Sequence, residues 1–174
     1  AVAWTQDNHQ RDEFFIRAGK ETVVYWWDAQ KDPVVDYDGE REKEAGVVWC
    51  EYYCHWSPKG NYLATLVPAR GVILWSGPNY EKVGRLVATG VQQILFSPQE
   101  TYVLTNNLDP SDNAAVKVYE VRTGKLLRAF PLFPGGKVPE EGGPPPPPFR
   151  WSPDDSYLAR QGDDLISIFE TPGM

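Results

Sequence analysis

Trp56-Ser57-Pro58-Lys59-Gly60-Asn61-Tyr62-Leu63-Ala64-Thr65 is a phrase that this chain writes three times. It returns as Phe96-Ser97-Pro98-Gln99-Glu100-Thr101-Tyr102-Val103-Leu104-Thr105 and as Trp151-Ser152-Pro153-Asp154-Asp155-Ser156-Tyr157-Leu158-Ala159-Arg160. Each copy has an aromatic strand end, a Ser-Pro turn tipped with polar residues or Gly, and a new strand opening on Tyr. Proline presets φ at the second turn position and the residues after it tolerate a tight reversal, so the repeated unit is a β-hairpin.

Further strands lie at repeating distances from these hairpins. Val72-Ile73-Leu74-Trp75, Val116-Lys117-Val118-Tyr119 and Ile166-Ser167-Ile168-Phe169 each close on an aromatic, 19, 23 and 18 residues after the first aromatic of their own copy. Polar turns follow the first two runs, Gly77-Pro78-Asn79 and Arg122-Thr123-Gly124, and each leads to a fourth strand, at 83–87 and at 126–130. Upstream, Glu13 to Ile16 and Thr22 to Trp27 read as the last strands of an earlier, incomplete unit. The copies start 40 and then 55 residues apart. The first spacing suits one four-stranded propeller blade, and the second fits if about fifteen residues are inserted. That insertion is visible at Pro131 to Pro148, where Pro134-Gly135-Gly136, Glu140-Glu141-Gly142-Gly143 and the run Pro144 to Pro148 form a loop.

The expected fold is therefore all-β, a partial β-propeller of about three four-stranded antiparallel blades plus part of a preceding one. Its divisions fall at 1–46 for strands of the preceding blade with an acidic loop, 47–88 and 89–130 for two blades, 131–148 for the Pro/Gly-rich insertion, and 149–174 for the start of the next blade. So few blades do not close a ring, so the chain is expected to be a piece of a longer one.

Composition narrows the function classes. With 174 residues, 41% of them hydrophobic and 13% aromatic, the chain has material for a core and is no disordered tail. No apolar run approaches the roughly 18 residues of a membrane span, and Ala1-Val2-Ala3-Trp4 has no signal-peptide layout, so a soluble segment is expected. The net charge of −7 is uneven: residues 1–54 hold 12 acidic and 6 basic side chains, centred on Asp32, Asp36, Asp38, Glu40 and Glu42. The stretch Asp28 to Glu44 reads as a solvated inter-strand loop, with contact to a basic partner as the other reading.

Catalytic patterns are missing. His9 and His55 lie in no nucleophile or metal motif, and Gly-x-Ser-x-Gly and phosphate-cradling Gly-rich loops do not occur. Of the carboxylate pairs, Glu140-Glu141 falls in the insertion, while Asp154-Asp155 and Asp163-Asp164 fall at hairpin turns, where Asp caps backbone. Neither an enzyme nor a cofactor or metal is expected. Cys50 and Cys54, read as one strand, would stand about 13 Å apart on one face, too far for a disulfide. His55 beside them makes at most half a zinc site.

Trp56, Trp75, Phe96, Tyr119, Trp151 and Phe169, with the turn prolines Pro58, Pro98 and Pro153, are read as blade structure packed between adjacent sheets. Trp4, Trp26, Trp27 and Trp49 follow no such rule and are open to partner contact. Lys59, Lys82, Arg85, Arg122, Lys125 and Arg128 sit at turns and outer strands. They read either as a charged edge that discourages sheet association or as a rim contacting phosphate or a partner. The proline run before Phe149 is a spacer or a polyproline II docking segment.

Taken in order, His55 to Thr65, Gly71-Val72-Ile73-Leu74-Trp75 and Gly90-Val91-Gln92-Gln93-Ile94-Leu95-Phe96-Ser97-Pro98 closely resemble the B-subunit family of eukaryotic translation initiation factor 3. Phe149-Arg150-Trp151-Ser152 and Leu165-Ile166-Ser167-Ile168-Phe169-Glu170-Thr171-Pro172-Gly173-Met174 are similar to later phrases of that family. The resemblance implies early blades of a nine-bladed propeller in a cytoplasmic, non-enzymatic scaffold. It implies as partners the small ribosomal subunit, through ribosomal protein or rRNA, and the a, g and i subunits of the factor through the full-length chain, with no membrane and no DNA. The family's RNA-recognition domain and its carboxy-terminal docking helix have no counterpart in these residues. Asp28 to Gly46 and Gly135 to Pro148 are longer than the family leads one to expect, and Gln99-Glu100 replaces Lys59-Gly60 of the first hairpin. The propeller of a serine peptidase, with an α/β-hydrolase domain downstream, or a generic peptide-binding propeller would use similar hairpins.

Overall fold

The computed structural model describes residues 11–19, 21–67, 70–133, 148–162 and 165–174. They form four antiparallel sheets, each a simple meander. The first contains β1 (Asp12–Ala18), β2 (Glu21–Trp27) and β3 (Val34–Tyr37); the second contains β4 (Tyr53–Trp56), β5 (Leu63–Val67), β6 (Gly71–Ser76) and β7 (Glu81–Leu86). The third contains β8 (Gln93–Phe96), β9 (Tyr102–Asn106), β10 (Val116–Glu120) and β11 (Leu126–Phe130); the fourth contains β12 (Phe149–Trp151), β13 (Tyr157–Gln161) and β14 (Ile166–Glu170). Contacts divide the chain into two compact units, 1–87 and 88–174, each holding two of these sheets.

Burial explains the strand patterns. Every residue of β5 is buried, as a continuous apolar run covered on both faces demands, whereas β7 and β11 alternate poorly and are largely exposed, as befits outer strands. In the first unit, Val24 of β2 joins Trp49, Leu63, Ile73 and Trp75 in one core, with Phe15, Tyr37 and Trp56 packed against it. In the second, Leu104, Val116, Val118 and Phe130 join Phe149 and Leu158, with Trp151 and Phe169 against them.

The 19-, 23- and 18-residue spacings have a geometric cause. Register pairs Trp56 with Leu63 and Leu63 with Trp75, so both aromatics of the first copy stand in one cross-strand row. Phe96, Val103 and Tyr119 form the equivalent row, and so do Trp151, Leu158 and Phe169. Residues directly opposite on adjacent strands project to the same face, so each row stacks its rings on one side of its sheet. The indole Nε1 of Trp75 donates to Thr65 Oγ1 at 2.8 Å, and that hydroxyl donates to the Trp49 carbonyl at 2.6 Å. Thr105 occupies the matching place in the second copy and hydrogen-bonds Tyr119. Arg160 takes that place in the third, where Phe169 has no donor to satisfy. It donates instead to the Pro131 carbonyl at 3.0 Å and lies over the rings of Phe130 and Phe149.

Two expectations require correction. The stretch Asp28 to Glu44 is not simply a solvated loop: it contains β3, which pairs with β2, and a helical turn, α1 (Glu40–Glu44). Val34 and Val35 leave β3 exposed at the sheet edge, so the strand lacks the burial signature that a sequence reading needs. Gly39 enters α1 at φ 82°, and a Cβ there would lie 2.2 Å from the Trp49 ring, so glycine is required by both backbone and neighbour. Nor do the two cysteines share a strand. Cys50 precedes β4, and the backbone kinks at Glu51 and Tyr52, whose N–H groups both donate to the Leu66 carbonyl at 3.2 and 3.1 Å. The thiols consequently lie against each other instead of standing 13 Å apart, and Cys50 Sγ donates to the Tyr53 carbonyl at 3.4 Å. Both remain free cysteines.

Candidate functional site

The three hairpins share one hydrogen-bonding scheme. Ser57, Ser97 and Ser152 each accept on the side-chain oxygen from the amide of Tyr62, Tyr102 and Tyr157 at 2.9 Å. Their carbonyls accept from Gly60, Glu100 and Asp155 at 3.0, 2.9 and 3.1 Å, closing a turn with proline second. The fourth turn residue has positive φ in every copy: 78° at Gly60, 66° at Glu100 and 62° at Asp155. Glycine is free there, and the other two are held against a steric preference of about 1–2 kcal/mol.

What holds Asp155 is a clamp between neighbouring hairpins of the second unit. Its carboxylate, in a residue only 4% exposed, accepts from Ser97 Oγ at 2.6 Å and from the amides of Gln99 at 2.9 Å and Thr101 at 3.1 Å. Gln99 Nε2 donates to the Pro153 carbonyl at 2.8 Å, and Thr171 Oγ1 donates to the Asp155 carbonyl. Asp154 plays the expected turn-capping role instead: it accepts from Ser152 Oγ, Ser156 Oγ and the Ser156 amide, which hold its carboxyl down at about 2. Adjacent carboxylates thus do different work, one within its turn and one across sheets.

Among the basic candidates, Lys59 is exposed on the β4–β5 turn. Lys82, paired with Trp75, is exposed near the β6–β7 turn, which an antiparallel meander places at the same end of the sheet. Arg85 lies farther along β7, where its Nε donates to the Arg70 carbonyl at 2.5 Å. Arg122 and Lys125 flank the β10–β11 turn and are exposed. Arg128 is committed to aromatic faces, its guanidinium 5.1 Å from the Phe130 ring centroid and 5.0 Å from that of Phe169. Pro58 and Pro153 are exposed at turn tips, and Pro98 is half-buried.

Burial lowers the basicity of the His55 imidazole, which stacks on Tyr53. Contact with the Cys54 thiol holds Cys50 below the ordinary thiol range, while the same contact and burial push Cys54 up. Among the described residues no group of three or more His, Cys, Asp or Glu could hold a metal, and no helix is long and apolar enough to cross a membrane. His9, Trp4, Glu140-Glu141, Asp163-Asp164 and the prolines Pro144 to Pro147 lie outside the described residues.

Sequence reasoning missed Arg41, whose guanidinium donates to the carbonyls of Asn79 and Tyr80 at 3.3 and 2.7 Å and so ties α1 to the β6–β7 turn. It also missed Tyr80, which stacks on Tyr37 with ring centroids 5.1 Å apart. A tyrosine two residues past Gly77-Pro78 and an isolated charged run carry no periodic signal.

Three- and four-stranded antiparallel meanders, three of them sharing one hairpin scheme and one aromatic row, define a segment of a β-propeller. A solved structure described as the eukaryotic initiation factor matches 95% of this chain and 38% of its own at TM-score 0.70 and 20% identity. Another, KlHsv2 with loop 6CD replaced by a Gly-Ser linker, matches 91% and 47% at TM-score 0.56 and 15% identity. No family model matches. Curated relatives named as the B subunit of eukaryotic translation initiation factor 3 are 34% identical in Mycosarcoma maydis, 35% in Xenopus laevis and 35% in Caenorhabditis elegans, across 99%, 99% and 97% of this chain. The chain belongs to the B-subunit family of eukaryotic translation initiation factor 3. It spans 25%, 23% and 26% of the length of those relatives.

Proposed function

We propose that this chain is a non-catalytic propeller platform within translation initiation factor 3, and that its parent protein binds the small ribosomal subunit and other subunits of the factor as the pre-initiation complex assembles. The observation that carries the reading is similarity along nearly the whole chain to relatives that bear the name of the factor's B subunit. The structure is chemically compatible. Its polar networks, the Asp155 clamp and the Thr65–Trp75 bond, fix neighbouring strands and hairpins to one another. A platform works by holding contact residues in fixed relation, so rigidity of this kind is its main physical requirement.

Lys59, Lys82, Arg122 and Lys125 are the basic side chains best placed to reach a phosphate or an acidic partner, because all are exposed at turns or outer strands. Arg85 and Arg128 are less suited, since backbone and aromatic contacts already engage them. The division 1–46, 47–88, 89–130 and 149–174 into blades, a cytoplasmic setting, and the a, g and i subunits of the factor as partners complete the proposal.

Crosslinking mass spectrometry with parallel RNA crosslinking, on the full-length parent bound to small ribosomal subunits, tests it. Crosslinks from Lys59, Lys82 or Lys125 to ribosomal protein or rRNA are expected. Absence of any association with the small ribosomal subunit or with other components of the factor refutes the platform.

A further inference from the structure

We propose that the first unit carries a receptor pocket for an arginine side chain of a partner protein, with Glu13 and Asp36 as counter-ions and aromatic rings as walls. A cavity of about 350 Å³ is lined by Glu13, Asp36, Trp26, Trp56, Trp75 and Tyr80, with the exposed Asn61 and Gly77 at its rim. That volume is at the small end for ligand sites, enough for one side chain and too little for a folded element.

The chemistry of the pocket lacks a cation. Tyr80 Oη is within hydrogen-bonding distance of Glu13 Oε1 and, at 2.9 Å, of Asp36 Oδ2. One hydroxyl proton cannot fully serve two carboxylates, so the cluster needs either another proton or a positive group. Among the described residues neither carboxylate has a Lys or Arg partner: the ion pairs join Lys31 to Asp28, Arg41 to Glu42 and Lys43 to Asp38. Burial and the neighbouring Asp36 raise the Glu13 carboxyl above the ordinary range, against the hydrogen bond from Tyr80, which lowers it. Arg11 lies against one wall of this pocket. Its guanidinium lies 4.8 Å from the Trp26 ring centroid, which shows that this indole takes such a group, and its charge acts on Asp28.

Arginine fits better than lysine. A planar guanidinium donates along two edges at once and so can reach converging carboxylates while its faces lie against Trp and Tyr rings; an ammonium is a more strongly hydrated point charge. Charge complementarity favours a basic protein partner, since residues 1–54 hold 12 of the 24 acidic side chains of the chain but only 6 of its 17 basic ones.

The test is calorimetric titration of the full chain with three heptapeptides, Gly₃-Arg-Gly₃, Gly₃-Lys-Gly₃ and Gly₃-citrulline-Gly₃. Saturable one-site binding of the arginine peptide is expected, weakened about tenfold or more by citrulline and by the double variant E13Q/D36N, and unchanged by D109N, an exposed acid of the second unit. Removing two like charges should leave the fold intact, which the melting curve of E13Q/D36N checks; the single variants E13Q and D36N repeat the test if it does not. Binding should also fade at acid pH as Glu13 protonates. Equal binding of citrulline or lysine, full binding by E13Q/D36N, or no saturation by about 10 mM overturns the proposal. The peptides are titrated without ribosome or factor, so this outcome is independent of the platform reading.

Discussion

Replacing Asp155 separates what its carboxylate does from what its backbone costs. The carboxylate accepts from one hydroxyl and two amides, at 2.6, 2.9 and 3.1 Å, in a buried turn. Hydrogen bonds to a charged acceptor are worth about 1.5–3 kcal/mol each, and bonds sharing one acceptor group are not additive, so D155A is expected to cost about 4 kcal/mol. D155G loses the same bonds but relieves φ 62°, a gain of about 1–2 kcal/mol. Against that gain stands a loss of about 0.4–1 kcal/mol through the freer unfolded chain. D155G should therefore be less damaging than D155A by about 0.5–1 kcal/mol, with D155N milder than both because one acceptor oxygen survives and Asn tolerates this backbone region. Urea unfolding gives the totals, and amide hydrogen exchange gives the location. Protection should fall at Gln99 and Thr101, while Gly60, in the matching turn of the first unit, should be unaffected. A D155A loss below about 1 kcal/mol, or unchanged exchange at Gln99 and Thr101, refutes the clamp.

Three further outcomes follow from particular geometries. G39A drives a Cβ against the Trp49 ring at φ 82° and should destabilise by about 3 kcal/mol, measured as a shift in urea midpoint; a loss under about 1 kcal/mol refutes the close approach. Cys50 should ionise below the ordinary thiol range by thiolate absorbance, and C54A, which removes the neighbouring thiol, should move it back up; an unmoved titration refutes the pairing. Glu13 has a carboxyl raised in the folded protein, so the folded state binds more protons and stability declines as pH rises through that window. E13Q should remove this decline and be more stable than the parent at neutral pH, with the advantage vanishing below the unfolded value near 4.5 in pH-dependent melts.

Legibility differed sharply between interactions that repeat and those that do not. The hairpin phrase exposed its own turn chemistry because Ser, Pro and Tyr act locally: the serine oxygen reaches an amide five residues on, and the proline sets the second turn position. The aromatic spacings could be read because register converts a fixed loop length into a fixed row. Asp155 was visible only as half of a turn-capping pair, since its partners are 54 to 58 residues away and nothing in a single copy points to another hairpin. The same limit concealed β3, whose valines face solvent, and the thiol contact, which depends on a backbone kink that both Glu51 and Tyr52 make onto one carbonyl.

The positive-φ position shows how three copies hold one turn shape with different residues. A turn that strains any side chain has glycine in the first copy, at Gly60. In the third copy the strained residue is the one whose side chain reaches the neighbouring hairpin, so the interaction energy of the clamp is expected to outweigh the conformational cost by about 2–3 kcal/mol. Strain at such a position persists only where the surroundings overdetermine it. Asp155, standing where the first copy has Gly60, thus holds a strained backbone because its side chain joins two sheets. By the same logic, Glu100, buried at φ 66°, should prove costlier to replace with glycine than relief of strain alone allows; an E100G variant that gains stability in urea would show that the second copy carries strain without a compensating contact.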